Sequence, residues 1–308
     1  MSGLSSPDRW IRPHIAGTPD DLVIVDTDIG WDPADIVALV IAGRMVPNLA
    51  VVTADETRGR RAQLARHLLN LLGRSDVRVI AGFDLGGEDR FLMSNDHPPA
   101  PPMEDFLERI RSLDRMIAAI VELCDTTTEP IRWVGLGPMS NLNAVISRMP
   151  EISDRVTVTQ MGGSLAGYRD KTQASQNFRT DYTSAGLALR ALHTPRLMLA
   201  DHTNAAAIQL TPDSPLLPAL EHATASDWAQ LLAQHLRAWF TRKPGTSMQD
   251  PLTLSAALGL PFVSVHTERI GIRADACIYR TPHGRPVQAS SAVDYEAFLT
   301  WMYEMIRP

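Results

Sequence analysis

The sequence predicts an α/β fold, a single domain built on a mostly parallel open sheet with helices on both faces. Three observations predict it. Short apolar, β-branched runs alternate with segments of helical periodicity over the first two hundred residues, the pattern of successive βα units. No linker-like composition divides the 308 residues, and no internal repeat is visible. Four aspartates, Asp26, Asp28, Asp32 and Asp35, stand within ten residues immediately behind the first apolar run. That is the loop at the carboxyl end of a strand, where open α/β sheets place their ligands.

The elements follow in order. Residues 23–25 form the first strand and about 33–45 a helix, with Asp32 or Asp35 also suited to capping it. A short strand at 50–53 precedes a helix from about 58 to 72, which ends at Gly73 as a C-cap. Residues 77–81 make the next strand. A polar, Pro-rich loop then runs from about 82 to 102, too long for a simple connection and so a lid or a disordered segment. A helix at about 103–124, a strand at 131–134 and a helix from near 140 come next. Strands at 156–160 and 196–199 flank a helix at about 182–192, and the C-terminal third is read as helices at about 225–241, 251–257 and 295–306.

Composition narrows the function. The formal charge of -6 gives no reason to expect nucleic acid or an anionic membrane as a partner. The basic run Arg58-Gly59-Arg60-Arg61, with Leu64, Leu68 and Leu69 behind it at helical spacing, is expected to be a solvated helix start. Cys124 and Cys277 lie far apart without metal spacing and are expected as buried free thiols of a reducing, cytoplasmic environment. No apolar stretch approaches a membrane span, the N-terminus lacks the apolar core of a secretion signal, and residues 1–18 are expected to be a loose, flexible leader to a domain at 19–308.

So many carboxylates in one turn repel each other unless a cation neutralises them, and an all-oxygen set suits Ca²⁺ or Mg²⁺ better than zinc. Three further loops at strand ends carry unusual residues. They are Gly135-Leu136-Gly137-Pro138-Met139-Ser140-Asn141-Leu142, then Met161-Gly162-Gly163 with Asn177 and Asp181 beyond it, and Gln249-Asp250-Pro251-Leu252 at a helix start.

Taken together, the four segments resemble the nucleoside hydrolase family, the inosine–uridine-preferring N-ribohydrolases. The family's patterns are DTDxGxDxDDAxAL, GPLTNLA, MGG followed by an Asn, and HDPLA. The resemblance runs in order from about residue 22 to 304 and includes Ala292-Val293-Asp294-Tyr295-Glu296-Ala297-Phe298 as the closing strand and helix. It implies a Ca²⁺-dependent N-glycosidase acting on a small-molecule nucleoside, assembled as a homodimer or homotetramer. It assigns Asp28, Asp35, Asp250 and the Leu136 carbonyl to the metal, with Asp28 as general base and Asp250 beside it in the catalytic set.

The remaining substrate-facing candidates are Met161, Asp32, Asn177, Arg169, Ser175 and Gln249, and several depart from the family pattern. Ala34 stands at the first Asp of the DD pair, leaving Asp32 as a substitute ribose ligand or simply an N-cap. Gln249 stands at the His that protonates the leaving base in one subgroup, and an amide is no acid. Trp31 is read as packing or as a stacking platform. Arg169 and Ser175 replace the Asn and Glu that grip the 5′-hydroxyl. That exchange adds about two units of positive charge and, with Arg179, suits a 5′-phosphate or another anionic substituent. Ala54-Asp55-Glu56 replaces the usual Gly-Asn, either acid being placed to face the pocket. The competing expectation is a weakened homologue that binds a ribosylated ligand without turnover.

Overall fold

The computed structural model describes residues 21–93, 97, 106–166, 170 and 172–308, with side chains from 110 onward in the segment that starts at 106. The expected leader over 1–18, residues 94–96 and 98–102 of the expected loop at 82–102, and Arg169 lie outside the described residues.

Leu22–Thr27 forms β1 with every residue buried, as an unbroken apolar run dictates for a strand covered on both sides. Val23 and Val25 face one apolar core, Leu22 and Ile24 the other, the period-two alternation of a pleated strand. Asp32 then caps α1 (Pro33–Met45), its carboxylate accepting from Ala34 N at 3.0 Å while Pro33 fills the first helical position. β2 (Leu49–Thr53), α2 (Arg60–Leu71), β3 (Arg78–Ala81), α3 (Phe106–Asp125), β4 (Ile131–Gly135), α4 (Ser140–Arg148) and β5 (Val156–Met161) follow. α5 (Gln176–Thr180), α6 (Tyr182–Ala191), β6 (Arg196–Met198) and α7 (Ala200–Thr203) lead to a two-stranded antiparallel ribbon. That ribbon pairs β7 (Gln209–Leu210) with β8 (Thr246–Ser247) around α8 (Leu216–Leu220) and α9 (Asp227–Phe240). α10 (Gln249–Ala257), β9 (Val263–Ile272), β10 (Ile278–Arg280), β11 (Arg285–Val293) and α11 (Tyr295–Met305) complete the chain.

The nine-stranded sheet runs β10-β9-β11-β6-β5-β4-β1-β2-β3. From β3 to β11 the neighbours are parallel, with Val25 opposite Val51 on β2 and Val134 on β4. Chain order reverses between β1 and β4, so the loops leaving those two strands diverge and open a crevice at their carboxyl ends.

Two expectations are corrected. Beyond the helices and the closing strand at Ala292-Val293, the C-terminal third also holds β9, β10 and the rest of β11, for which no strand was expected and which extend the sheet as an antiparallel ladder. Their faces are partly open to solvent, so half their residues are polar and no continuous apolar run marks them. The start of α2 is not solvated either. Arg60 and Arg61 are buried, the Arg61 side chain completely, because the acids of the β2–α2 loop and several carbonyls gather around it. Cys124 is buried, and Cys277 is only half-buried; both are free. No helix among the described residues is long and apolar enough to cross a membrane.

Candidate active site

The loops at the switch point are pinned to one another by their own polar groups. Leu136 N and Gly137 N both donate to Asp26 O, at 2.7 and 3.2 Å, and Ala54 N donates to Thr27 O at 2.8 Å. Asn141 Nδ2 donates to Asp26 Oδ1 at 2.8 Å and to Thr53 O at 3.0 Å, while its Oδ1 accepts from Phe83 N at 2.7 Å. One amide thereby ties the ends of β1, β2 and β3 together. Gly137 is small for a reason: a Cβ there would lie 3.0 Å from Asp28 Oδ1.

Beyond β5, Gly162 adopts φ 149° and a Cβ on it would meet Phe178 at 2.7 Å, so only glycine fits. This turn carries the Met161 carbonyl toward Asn177, whose Nδ2 donates to it at 3.2 Å and also to the Leu136 carbonyl. Gly163 N donates to Ser175 Oγ at 2.7 Å.

Between these loops lies a cleft of about 750 Å³, a size usual for small-molecule sites. Nine of the ten side chains or carbonyls singled out in the sequence line it: Asp28, Asp32, Asp35, Leu136, Met161, Ser175, Asn177, Gln249 and Asp250. Trp31 and Arg179 join them; Asp55 and Glu56 do not. Those two acids turn away because each is spent elsewhere. Asp55 pairs with Arg61 at 3.3 Å and Arg90 at 2.8 Å, and Glu56 accepts the backbone N–H of Thr57, Arg61 and Ala62 at the start of α2. Asp32 caps α1 and also lines the cleft, where it accepts from Thr246 Oγ1. Trp31 likewise lines the cleft while packing edge-on against Trp239, ring centroids 5.4 Å apart.

The floor is electrostatically unusual. Burial lifts the Asp28 carboxyl to about 6, with Arg61 opposing and the charges of Asp55 and Asp32 adding to the rise. Asp35 and Asp250 are pushed well above the ordinary carboxylate range, first by burial and then by the other acids of the floor. Asp35 accepts from Thr27 Oγ1 at 2.5 Å. Asp250, in the first turn of α10 and 2 % exposed, has a buried Oδ1 with no hydrogen-bond partner. Asp28 and Asp35 behind β1 and Asp250 at the head of α10 thus share one floor, where the charge of Asp28 raises the proton affinity of the other two, the condition in which a cation or a developing positive charge is most strongly stabilised.

Sequence reasoning missed three contributors. Trp239 and Lys243 line the cleft from the end of α9 and the loop behind it, and Thr246 from β8, with no motif to mark them. The buried Arg61–Asp55 pair was legible only as charges of opposite sign six residues apart.

A family model for inosine-uridine preferring nucleoside hydrolases matches residues 23–300. The chain belongs to that family. Nucleoside hydrolases are N-glycosidases, and that is the enzyme class of this chain. The pyrimidine-specific ribonucleoside hydrolase RihA of Shewanella woodyi is 24% identical over 265 residues, covering 81% of this chain and 83% of its own length. Its counterpart from Enterobacter sp. is 24% identical over 288 residues, covering 89% and 88%. Among solved structures, the plant nucleoside hydrolase PpNRh1 superposes with a TM-score of 0.72 at 21% identity, over 93% of this chain and 99% of that one. The inosine-uridine preferring nucleoside hydrolase of Bacillus anthracis gives 0.71 at 16% identity, over 92% and 98%. The type III effector XopQ, solved with adenosine diphosphate ribose, gives 0.65 at 17% identity, over 96% and 94%. These structural likenesses establish the nucleoside hydrolase fold.

Proposed function

We propose that this nucleoside hydrolase cleaves the N-glycosidic bond of a ribonucleoside with Ca²⁺ at the floor of the cleft, and that the ribose carries a phosphate or another anionic group at its 5′ end. The observation that carries the proposal is the convergence of Asp28, Asp35 and Asp250 on one cleft.

Among the described residues no three His, Cys, Asp or Glu side chains form a closed ligand group. The donor chemistry nevertheless fits a hard cation: all-oxygen groups, carboxyls raised by burial and by neighbouring acids, and the unpartnered Asp250 Oδ1. Asp28, Asp35, Asp250 and the Leu136 carbonyl would hold it. When bound, the ion supplies positive charge that neutralises these acids and Lewis-acid polarisation of the oxygens it meets.

The chain's own groups do the rest. As the C1′–N bond lengthens, positive charge grows on the ribose, and the carboxylate floor stabilises it. Asp28, whose carboxyl burial raises to about 6, accepts a proton from the attacking water. Asp32 and the Asn177 amide meet the sugar. At the α5 end of the cleft stand Ser175, Gln176, Arg179 and Thr180, with no carboxylate of α5 among the described residues. A guanidinium there, held by Gln173, favours an anionic 5′ substituent. Two free cysteines accord with a cytoplasmic enzyme, and the family resemblance with a homodimer or homotetramer.

The test is steady-state hydrolysis of inosine and uridine against their 5′-monophosphates, before and after chelation. Preferred turnover of the monophosphates, lost with chelator and restored by Ca²⁺, is the expected result. Equal or better turnover of the bare nucleosides removes the 5′ anion, and indifference to chelator removes the metal.

A further inference from the structure

Gln249 donates a hydrogen bond toward Asp250 at 3.4 Å but has no proton to give a departing base. Another group in the cleft has to supply it. Among the described residues three cationic side chains line the cleft: Arg90, Arg179 and Lys243. Arg90 is committed, its Nε and Nη2 both donating to Asp55, at 2.8 and 2.9 Å. Arg179 belongs to α5 and donates to Gln173. A guanidinium is in any case too weak an acid to give up its proton. Lys243 alone of the three has no ion pair or side-chain hydrogen bond among the described residues.

Its position suits the base rather than the 5′ end. Lys243 follows α9, which packs on α1 and α2, whereas α5 follows the end of β5 on the other half of the sheet. Its backbone N donates to Trp239 O at 3.0 Å, and Trp239 Nε1 donates to Gly245 O at 3.0 Å, so the loop that carries the lysine is fastened to that tryptophan. Trp239 in turn meets Trp31 edge-on, giving this side of the cleft a two-indole wall of the kind that accepts a flat heterocycle.

We propose that Lys243 is the catalytic acid for the leaving base, taking the role that Gln249 cannot fill. This rests on the glycosidase reading of the cleft. The C1′–N bond breaks with its electron pair staying on the base, and the Lys243 ammonium delivers a proton to a heteroatom of that base. Water gives hydroxide to C1′ and its proton to Asp28, and exchange with solvent returns a proton from Asp28 to Lys243. Base and ribose leave with one water consumed.

The experiment compares Lys243→Met with wild type on two substrates of the same 5′ state. One is the nucleoside or nucleotide the wild type prefers, and the other is the p-nitrophenyl β-riboside, whose nitrophenolate departs without a proton. The lysine is exposed, so the variant folds, and its melting temperature checks this. The expected result is a kcat loss at least about a hundredfold greater on the natural substrate than on the nitrophenyl riboside, the scale of one general acid. Equal losses on both substrates, or full rate in Lys243→Arg, overturn the assignment. Wild type inactive on both substrates overturns the glycosidase reading itself, and the assignment with it.

Discussion

Replacing Arg61 by Leu tests whether the catalytic floor hangs on one buried cation. The Arg61 side chain is fully enclosed and donates from Nε to Asp55 O at 2.7 Å, from Nη1 to Ile29 O at 2.8 Å and to Asp28 O, and from Nη2 to Arg90 O at 2.9 Å. It therefore joins the loops after β1, β2 and β3. Leucine fills part of the volume, leaves four carbonyls without their donor and removes one of the two cations facing buried Asp55. Each orphaned acceptor costs about 1–3 kcal/mol where water cannot reach it, and breaking a buried ion pair costs about 3–5 kcal/mol. Arg90 still pairs with Asp55, and water can follow it inward, so the expected loss is about 3–5 kcal/mol rather than the sum. That corresponds to a fall of roughly 5–8 °C in Tm for a chain of this length. Urea unfolding gives the free energy directly. Arg61→Lys, which keeps the charge but not the fork, should fall between leucine and wild type. An Arg61→Leu protein within about 1 kcal/mol of wild type would refute the argument, since it would mean that the carbonyls are satisfied without the guanidinium.

Three further outcomes are expected. His235 is fully buried, with Nε2 on Trp31 O at 3.1 Å, and burial lowers its ring to about 4. The folded state then binds fewer protons than the unfolded one between about pH 6.5 and 4, so its contribution is intact above 6.5 and about 3 kcal/mol is lost as pH falls to 4. Urea midpoints measured across that range should slope less steeply for His235→Gln, and parallel slopes would refute this. Gly162→Ala places a methyl 2.7 Å from Phe178 at a φ of 149° and should lower stability by about 1–3 kcal/mol, read by thermal melting. Asp28→Asn should reduce kcat by about 10²–10⁴-fold with folding intact, as loss of a general base does; a loss below tenfold in a substrate-saturated assay would remove Asp28 from that role.

The first half of the molecule was legible because its central strands β1, β2 and β4 are buried on both faces. Leu22 to Val25 could be nothing but a central strand, and the acids behind it had to lie at its carboxyl end. The Asp250-Pro251 pair likewise announced a helix start, which brings that carboxylate into the crevice. What stayed hidden obeys longer-range physics. β9, β10 and the first part of β11 have many residues facing solvent and so carry no strand signal; only the close of β11 was marked, by the resemblance. Arg61 looked like a surface charge because burial of a guanidinium is decided by carbonyls that only the folded loops bring together. Lys243 carries no local signal at all, its meaning coming from Trp239 and Trp31 beside it. The loss of the acid at Gln249 could be read from one position, but a replacement could not be found without the cleft.

The carboxylates of the crevice come from both flanks of the polypeptide, Asp28 and Asp35 behind β1 and Asp250 at the head of α10. A chain still on the ribosome therefore holds only part of the set until α10 has emerged and docked beside α1. On the proposed roles of these acids, synthesis up to that moment would yield a chemically silent intermediate, and a proteolytic nick between the two flanks that frees α10 would return the enzyme to that state.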